Sequence, residues 1–480
     1  MLRTLFLNPP SYEGFDGGAG SRYQARREVR SFWYPTWLAY PAGLIEGSRV
    51  LDAPPEELGL EEVVRLASGY DLIVIFTSTP TIGNDARVAG RLKSSNPGCM
   101  IGFVGPHAMV LPQETLTASE AIDFVATGEF DLTIPEIASG LPLDRVHGIA
   151  FRSGGKIHRT PDRPPIQDLD ALPFVSEVYA RDLHVEKYFI GYLQHPYLSF
   201  YTGRGCRARC TYCLWPQTIA GHAYRVRSPE NVLREVARAR ELFPQVREFF
   251  FDDDTFTQDL SRAEEIARRL GPLGITWSCN VRANVPGKTL KVLKENGLRM
   301  VVVGFESGNQ RILDNIKKGV RLDGVRQFVR SAHDAGVLIH GAFILGLPGE
   351  TAETIEETIR FAKEMNPYSI QVSLVAPYPG TELYSQALTE GWLRKTEDQL
   401  VPGGIQAASL SYGDLSEEEI FESVERFYRR FYFRPKPILR IVKDMLRDRQ
   451  VFARRMREGK EFFSFMAKRK QEKAIGNPCG

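Results

Sequence analysis

Half of the six cysteines in this chain fall within eight residues, because GRGCRARCTYCLWPQ (203–217) carries Cys206, Cys210 and Cys213 at C-x3-C-x2-C spacing. Clustered thiols of this kind in a reducing compartment point to metal chemistry rather than to disulfides. A structural zinc ion would need a fourth donor to close a tetrahedral site. The candidates are His222, Cys279 and Cys479, which lie respectively outside any second short Cys/His motif, inside a predicted strand and at the end of the chain. The other reading is an iron–sulfur cluster. A four-iron cluster normally takes four thiolates. With three, one iron keeps an open position for a small chelating ligand.

Such a vacancy suits the amine and carboxylate of an amino acid end, as in S-adenosylmethionine (SAM). An electron passed into the bound sulfonium breaks the C5′–S bond and releases a 5′-deoxyadenosyl radical. The loop would then have to sit at the catalytic face of a barrel, after its first strand.

The surrounding sequence supplies that setting. YLSFYTGRG (197–205) is a predicted strand running straight into the cysteine loop. Five more predicted strands follow, in REFFFDDDTF (247–256), ITWSCNVRAN (275–284), MVVVGFESG (300–308), VLIHGAFILGLPGE (337–350) and SIQVSLVAPYPGT (369–381), with helical stretches between them. Six β-α units with polar residues at the strand ends predict a partial (β/α)6 barrel over 196–410. Ahead of it, TLFLNP (4–9), DLIVIFT (71–77), MIGFVGP (100–106) and IDFVATG (122–128) predict a parallel, doubly wound α/β domain over 1–145. The Gly-rich loop after the first of these lacks the G-x-G-x-x-G pattern and is weak evidence for a phosphate cradle. Residues 146–195 read as a hairpin turning at Gly154-Gly155 and a Pro-rich linker.

The composition, 43% hydrophobic and 25% charged with net charge +2, predicts no nucleic-acid partner. No apolar run reaches the roughly 18–20 residues that span a bilayer. The opening MLRTLFLNPPSYEG turns to Pro and Gly too early for a signal peptide, so the expected location is the cytoplasm. The helical region 411–480 differs from the rest: residues 434–474 hold 14 Lys/Arg against 5 Asp/Glu, interleaved with Phe452, Phe462, Phe463, Phe465 and Met466. Two readings stay open, a helical cap on the barrel and a peripheral contact with the inner face of the membrane.

The triad with Tyr212 before its last cysteine is similar to the signature of the radical SAM superfamily. The resemblance implies that Cys206, Cys210 and Cys213 hold a [4Fe–4S] cluster and that Tyr212 lies against adenine. FFDDDTF resembles the second-strand motif near the SAM amino group, which nominates Asp252, Asp253 and Asp254. GFESGNQRIL resembles the fourth-strand motif, placing Glu306 and Ser307 near the methionine or ribose. GAFILGLPGE resembles the fifth-strand segment that packs on adenine, from Ile344 to Leu347. Arg282 is the candidate partner of the SAM carboxylate. A ferredoxin or flavodoxin is the implied electron donor.

GFVGPHAMVLPQETL and IDFVATGEFDLTIPEIASG are similar to segments of cobalamin-binding domains, which leaves two readings open: cobalamin as a further cofactor, or a retained fold whose pocket is empty or used for substrate. The D-x-H-x-x-G that supplies a cobalt-ligating histidine is missing, and His107 lies on a different loop. The opening LNPPSYEGFDGGAGSRYQARREVRSFWYPTWLAYPAGL, with LDAPPEE (51–57), resembles radical SAM proteins associated with hopanoid biosynthesis. That likeness implies a hopanoid glycolipid substrate, with the glucosaminyl head of bacteriohopanetetrol contracted to a cyclitol ether. The alternatives are a cobalamin-dependent radical SAM methyltransferase and, outside enzymes, a zinc-stabilised binding protein. The sequence nominates no catalytic residue: Cys279 and Tyr378 are candidates for the barrel mouth, but a core cysteine and a packed tyrosine are the plainer description.

Overall fold

The computed structural model describes residues 1–12, 29–394, 406–413, 415–447 and 449–475. Cys479 lies outside the described residues. The N-terminal sheet has seven strands: β1 (Thr4–Asn8), β2 (Arg49–Asp52), β3 (Leu72–Phe76), β4 (Met100–Val104), β5 (Phe124–Ala126), β6 (Ile149–Ser153) and β7 (Lys156–Arg159). Their order is β2-β1-β3-β4-β5-β6-β7, with the first five parallel and the last two antiparallel. β1 and β3 are buried along their whole length, as continuous apolar runs in a sheet covered on both faces should be. β2 adds a strand beyond the four predicted ones, because RVLD is too short and mixed to stand out from the chain. The hairpin at Gly154-Gly155 also joins the sheet rather than standing in a separate linker, since Ala126 pairs with Ile149.

The second sheet begins with β8 (Tyr197–Phe200). A short pair, β9 (Gly203–Arg204) and β10 (Arg225–Val226), frames the cysteine loop. Then follow β11 (Glu248–Phe251), β12 (Trp277–Val281), β13 (Leu298–Glu306), β14 (Leu338–Leu345) and β15 (Ser369–Leu374). β8 and β11–β15 form one parallel sheet in chain order, a six-stranded partial barrel left open between β8 and β15. An open edge leaves unpaired backbone groups that need partners. Side chains supply them at β15: Tyr432 and Tyr428 hydroxyls accept from the N–H groups of Ile370 and Val372, and Gln406 pairs with both backbone groups of Leu374. Both tyrosines come from the helix Glu417–Tyr432, which opens on a capping box between Ser416 and Glu419. The C-terminal region is thus a barrel cap on its inner side, where Phe465 and Met466 are buried, while Phe452 and Phe463 are exposed. Among the described residues no helix is long and apolar enough to cross a membrane.

Two contacts weld the domains. Tyr34 stacks between Tyr179 and Tyr188 at ring distances of 4.6 and 4.1 Å, and its hydroxyl donates to the Tyr197 carbonyl of β8. The second is a buried ion cluster. Arg204 of β9 makes a two-pronged contact with Asp131 at 2.9 and 2.8 Å, and Arg225 of β10 does the same with Glu129 at 2.8 and 2.6 Å. The Arg204 guanidinium also lies 4.6 Å from the Trp37 ring. Burial alone would lower the Arg204 pKa; Asp131 and Glu129 reverse this and hold it above its ordinary value. Removing one partner of such a pair leaves a buried charge, at a cost of about 3–5 kcal/mol. Asp131→Ala is expected to destabilise the protein by about that amount, read as a lower denaturation midpoint. An unchanged midpoint would show that the pair does not hold the domains.

Candidate active site

The cysteine loop is shaped before its ligands are placed. Gly205 has φ 89°, and a Cβ there would lie 2.2 Å from the Ala223 carbonyl oxygen, so the residue ahead of Cys206 must be glycine. The Gln217 side-chain amide donates to the carbonyls of Cys210, Thr211 and Cys213 at 3.2, 3.1 and 2.9 Å, and its oxygen accepts from Glu382 N–H at 2.8 Å. Thr211 N–H donates to Ile316, and His222 Nδ1 sits 3.0 Å from the Cys206 carbonyl. Nothing in the sequence reading singles out Gln217, because a staple of loop carbonyls has no motif of its own.

None of the three cysteines is in a disulfide, and all line one cavity of about 320 Å³ inside the barrel. Among the described residues no three His, Cys, Asp or Glu side chains converge as ligands of one ion, so the zinc reading finds no closed donor set. Thiols set around a cavity suit a multi-iron cluster, where each thiolate binds a different iron. Arg282 reaches the same wall, with Nη1 3.8 Å from Cys210 Sγ and Nη2 donating to the Lys318 carbonyl.

Beside it stands a buried polar trio. Glu306 Oε1 accepts from Lys318 Nζ at 2.7 Å and from the Tyr212 hydroxyl at 2.8 Å. Burial, with Glu306 alongside, pushes the Tyr212 phenol well above its ordinary range. Burial would lower the Lys318 ammonium, but Glu306 keeps it raised and charged. Glu306 itself has φ 63°, where a residue with a Cβ is strained, at a shift of register in β13. Gly304 makes room for the fold-back, since a Cβ there would lie 2.2 Å from Glu306 Oε1 and 3.0 Å from Lys318 Nζ. Lys318 is a site residue absent from the sequence candidates, because it follows a helix rather than a strand.

The other nominated residues divide. Asp254 and Ile344 line the cavity, as do Tyr378 and His222. Asp252 and Asp253 are instead structural: Asp253 accepts from Thr202 N–H and Oγ1, both at 2.6 Å, and Asp252 from Asn280. All three aspartates lie beyond the end of β11 at Phe251, and the partners decide between them: Asn280 and Thr202 engage the first two, leaving Asp254 on the cavity wall. Ser307 is buried against Thr358 at 3.1 Å, and Leu347 packs in a satellite core with Ile312 and Leu383. Cys279 is fully buried within β12 among apolar neighbours. Near Leu347, the buried Glu350 carboxylate accepts from Gly346 and Leu347 N–H at 2.6 and 3.1 Å, yet burial pushes its pKa up to about 8.

The carboxyl edges of the two sheets meet beside this cavity. Val110, after β4, lies against Gly380, after β15: a Cβ on Gly380 would be 2.6 Å from Val110 Cγ1. Trp37 stacks on Trp215 of the cysteine loop at 5.9 Å. The N-terminal edge presents Ser78, Thr79 and Thr81, the Thr127 hydroxyl buried without a hydrogen-bond partner, and Gly105 at φ 111°. Small hydroxyls and a close-approach glycine fit a large amide-bearing corrinoid. His107 is buried, with Nδ1 3.2 Å from the Thr79 hydroxyl, and burial lowers its pKa to about 4.

Comparison with known proteins matches residues 200–362 to the radical SAM superfamily and residues 25–138 to the B12 binding domain. An uncharacterized methyltransferase of Pyrococcus horikoshii is 30% identical over 92% of this chain and 94% of its own length. The chain belongs to the radical SAM superfamily, in the group that carries a B12-binding domain. Its cofactors are a [4Fe–4S] cluster, SAM and cobalamin. The anaerobic magnesium-protoporphyrin IX monomethyl ester cyclase of Rubrivivax gelatinosus is 27% identical over 80% of this chain and 70% of that one. The hopanoid C-3 methylase of Methylococcus capsulatus is 28% identical over 62% and 56%. The fold matches the radical SAM methyltransferase TsrM of Kitasatospora setae, solved with cobalamin and a [4Fe–4S] cluster, at TM-score 0.67 and 13% identity over 97% of this chain and all of that one.

Alanine at Cys206, Cys210 or Cys213 is expected to abolish bound iron, sulfide and the visible cluster absorbance, whereas Cys279→Ala retains them; a Cys279→Ala protein without a cluster would contradict the ligand set. A second expectation concerns pH. Because the folded pKa of Glu350 is raised from 4.5 to about 8, its contribution to stability is whole below about pH 4.5 and is lost as pH rises through about 8. Glu350→Gln should therefore gain thermal stability relative to wild type between pH 5 and pH 9, and a difference that stays flat with pH would refute the buried neutral carboxyl.

Proposed function

We propose that the protein is a cobalamin-dependent radical SAM methyltransferase acting on a carbon of a hopanoid-type lipid. The observation that carries this reading is the meeting of the two carboxyl edges, with Val110 against Gly380 beside the cysteine-lined cavity. A substrate carbon in that cavity would be within reach of a radical source on the barrel side and a methyl donor on the sheet side. When bound, the cluster supplies the electron that cleaves SAM, and the corrinoid a transferable methyl group. The chain's own residues do the positioning. Cys206, Cys210 and Cys213 hold the cluster; Glu306, fixed by Lys318 and Tyr212, offers a carboxylate to the hydroxyls or amine of SAM. Arg282 supplies positive charge next to the cluster and the SAM carboxylate. The buried walls keep water from the radical. The relative named as a hopanoid C-3 methylase, together with the resemblance of the opening segment, supports the lipid class.

A second reading is contraction of the glucosaminyl ring of a hopanoid to a cyclitol ether. It is supported by the likeness, over 80% of the chain, to a relative named for a cyclisation, and by the same opening segment. Hydrogen abstraction from a sugar carbon would leave a centre that fragments and re-closes through carbon–carbon bonding.

The two readings differ in products. The reconstituted, reduced enzyme with SAM, cobalamin and a glucosaminyl-hopanoid extract is expected to yield a product one methyl heavier, with S-adenosylhomocysteine and 5′-deoxyadenosine in parallel. A product isomeric with or reduced relative to the glycolipid, without S-adenosylhomocysteine, would establish ring contraction instead. No more 5′-deoxyadenosine than a Cys210→Ala control would defeat both.

A further inference from the structure

We propose that the outer face of the helix Pro435–Arg447, with the adjoining part of the last helix, docks on an anionic lipid bilayer and opens onto an apolar cavity that adjoins the active site. Ile438, Leu439, Val442 and Leu446 are exposed, Leu439 by 67% and Leu446 by 82%. At 100° per residue these four span about 100° of the helix circumference. Lys436 and Lys443 are exposed just beyond one edge of that arc. Scattered exposed apolar residues are ordinary, but a contiguous apolar arc with a basic flank has the pattern of a helix lying in a membrane interface. Phe433 and Phe463, both exposed, extend the patch beyond the helix. The surrounding segment's excess of basic residues supplies the charge complementarity for anionic headgroups.

The patch also has an interior. Phe433, Ile438 and Phe463 form part of the lining of a second cavity, of about 390 Å³, whose other walls include Tyr432, Ile441 and Phe462. This cavity shares Tyr192, His340 and Gln371 with the cysteine-lined one. His340 and Gln371 lie near the starts of β14 and β15, whereas Ile344 and Val375, two residues per step further along the same inner faces, reach the mouth with the cysteines. The junction is narrow and aromatic, with Tyr192 stacked on His340 at 4.0 Å. An amphiphile leaving a bilayer at the patch would enter this second cavity and reach the active site by parting Tyr192 from His340 at the shared wall.

Flotation with liposomes tests the docking face and needs neither substrate nor turnover, so it fails or succeeds independently of the proposed reaction. The full chain with its cluster is mixed with vesicles of phosphatidylcholine alone or with phosphatidylglycerol added. Wild type is expected to float with the anionic vesicles and to be released by salt. Leu439→Ser/Leu446→Ser, substitutions at exposed positions that leave the cluster absorbance intact, should lower the bound fraction about tenfold. Lys436→Glu/Lys443→Glu should remove the preference for anionic lipid. Absence of wild-type binding, or binding that neither variant changes, would overturn the proposal. A dimer that forms with rising concentration and is dispersed by the serine variant, without vesicle binding, would assign the face to a second copy of the chain instead.

Discussion

The cysteine loop is tied to the N-terminal domain by a pair of arginines buried between the two domains. Arg204 and Arg225 belong to the short ladder that frames the cysteine loop, and their partners Asp131 and Glu129 belong to the N-terminal domain. Charges so deeply placed are tolerated only when each is fully paired. That requirement makes the contact an alignment device: a small shift of one domain would strand four charges in an apolar interface. Immediately after Arg204, the chain turns at Gly205 into Cys206. The relative placement of the two sheets and the placement of the first cysteine are therefore one constraint.

A second constraint follows from the barrel being incomplete. With β15 unpaired on one side, the sheet would present free backbone groups and an open interior. Side chains of the Glu417–Tyr432 helix and Gln406 satisfy the backbone, and the aromatic rings of the cap close the interior only partly. The gap leaves room for a second cavity beneath the cap, which shares Tyr192, His340 and Gln371 with the cysteine-lined one. Inside, strain is localised at Glu306, held at positive φ by its bonds to Lys318 and Tyr212.

Much of this was legible in the residues. The cysteine spacing and the six strand-end segments carried the family and the barrel, since each relies on local pattern. The continuous apolar runs of β1 and β3 carried the parallel sheet. What stayed hidden depends on distance in sequence. Which of Asp252, Asp253 and Asp254 faces the cavity is set by distant partners, since Asn280 and Thr202 engage the first two. The role of Gln217 depends on three carbonyls in the loop before it, and that of Lys318 on a glutamate in the preceding strand. β2 has too few residues for a periodic signal, and the hairpin at 149–159 reads as part of a linker because its pairing with β5 is not local. The tail carried both of its readings at once: a packed inner face and an exposed outer one on the same helices.

The proposed reaction needs the cluster loop and the cobalamin-binding edge side by side, where Val110 meets Gly380. Electron paramagnetic resonance of the protein loaded with both cofactors, with the cluster reduced and the corrinoid in its cobalt(II) state, measures this directly. If the two are side by side, each signal is broadened or split by the other, and both return to their isolated forms when either cofactor is omitted. Two signals unchanged by each other's presence would place the cofactors in separate sites and contradict the account.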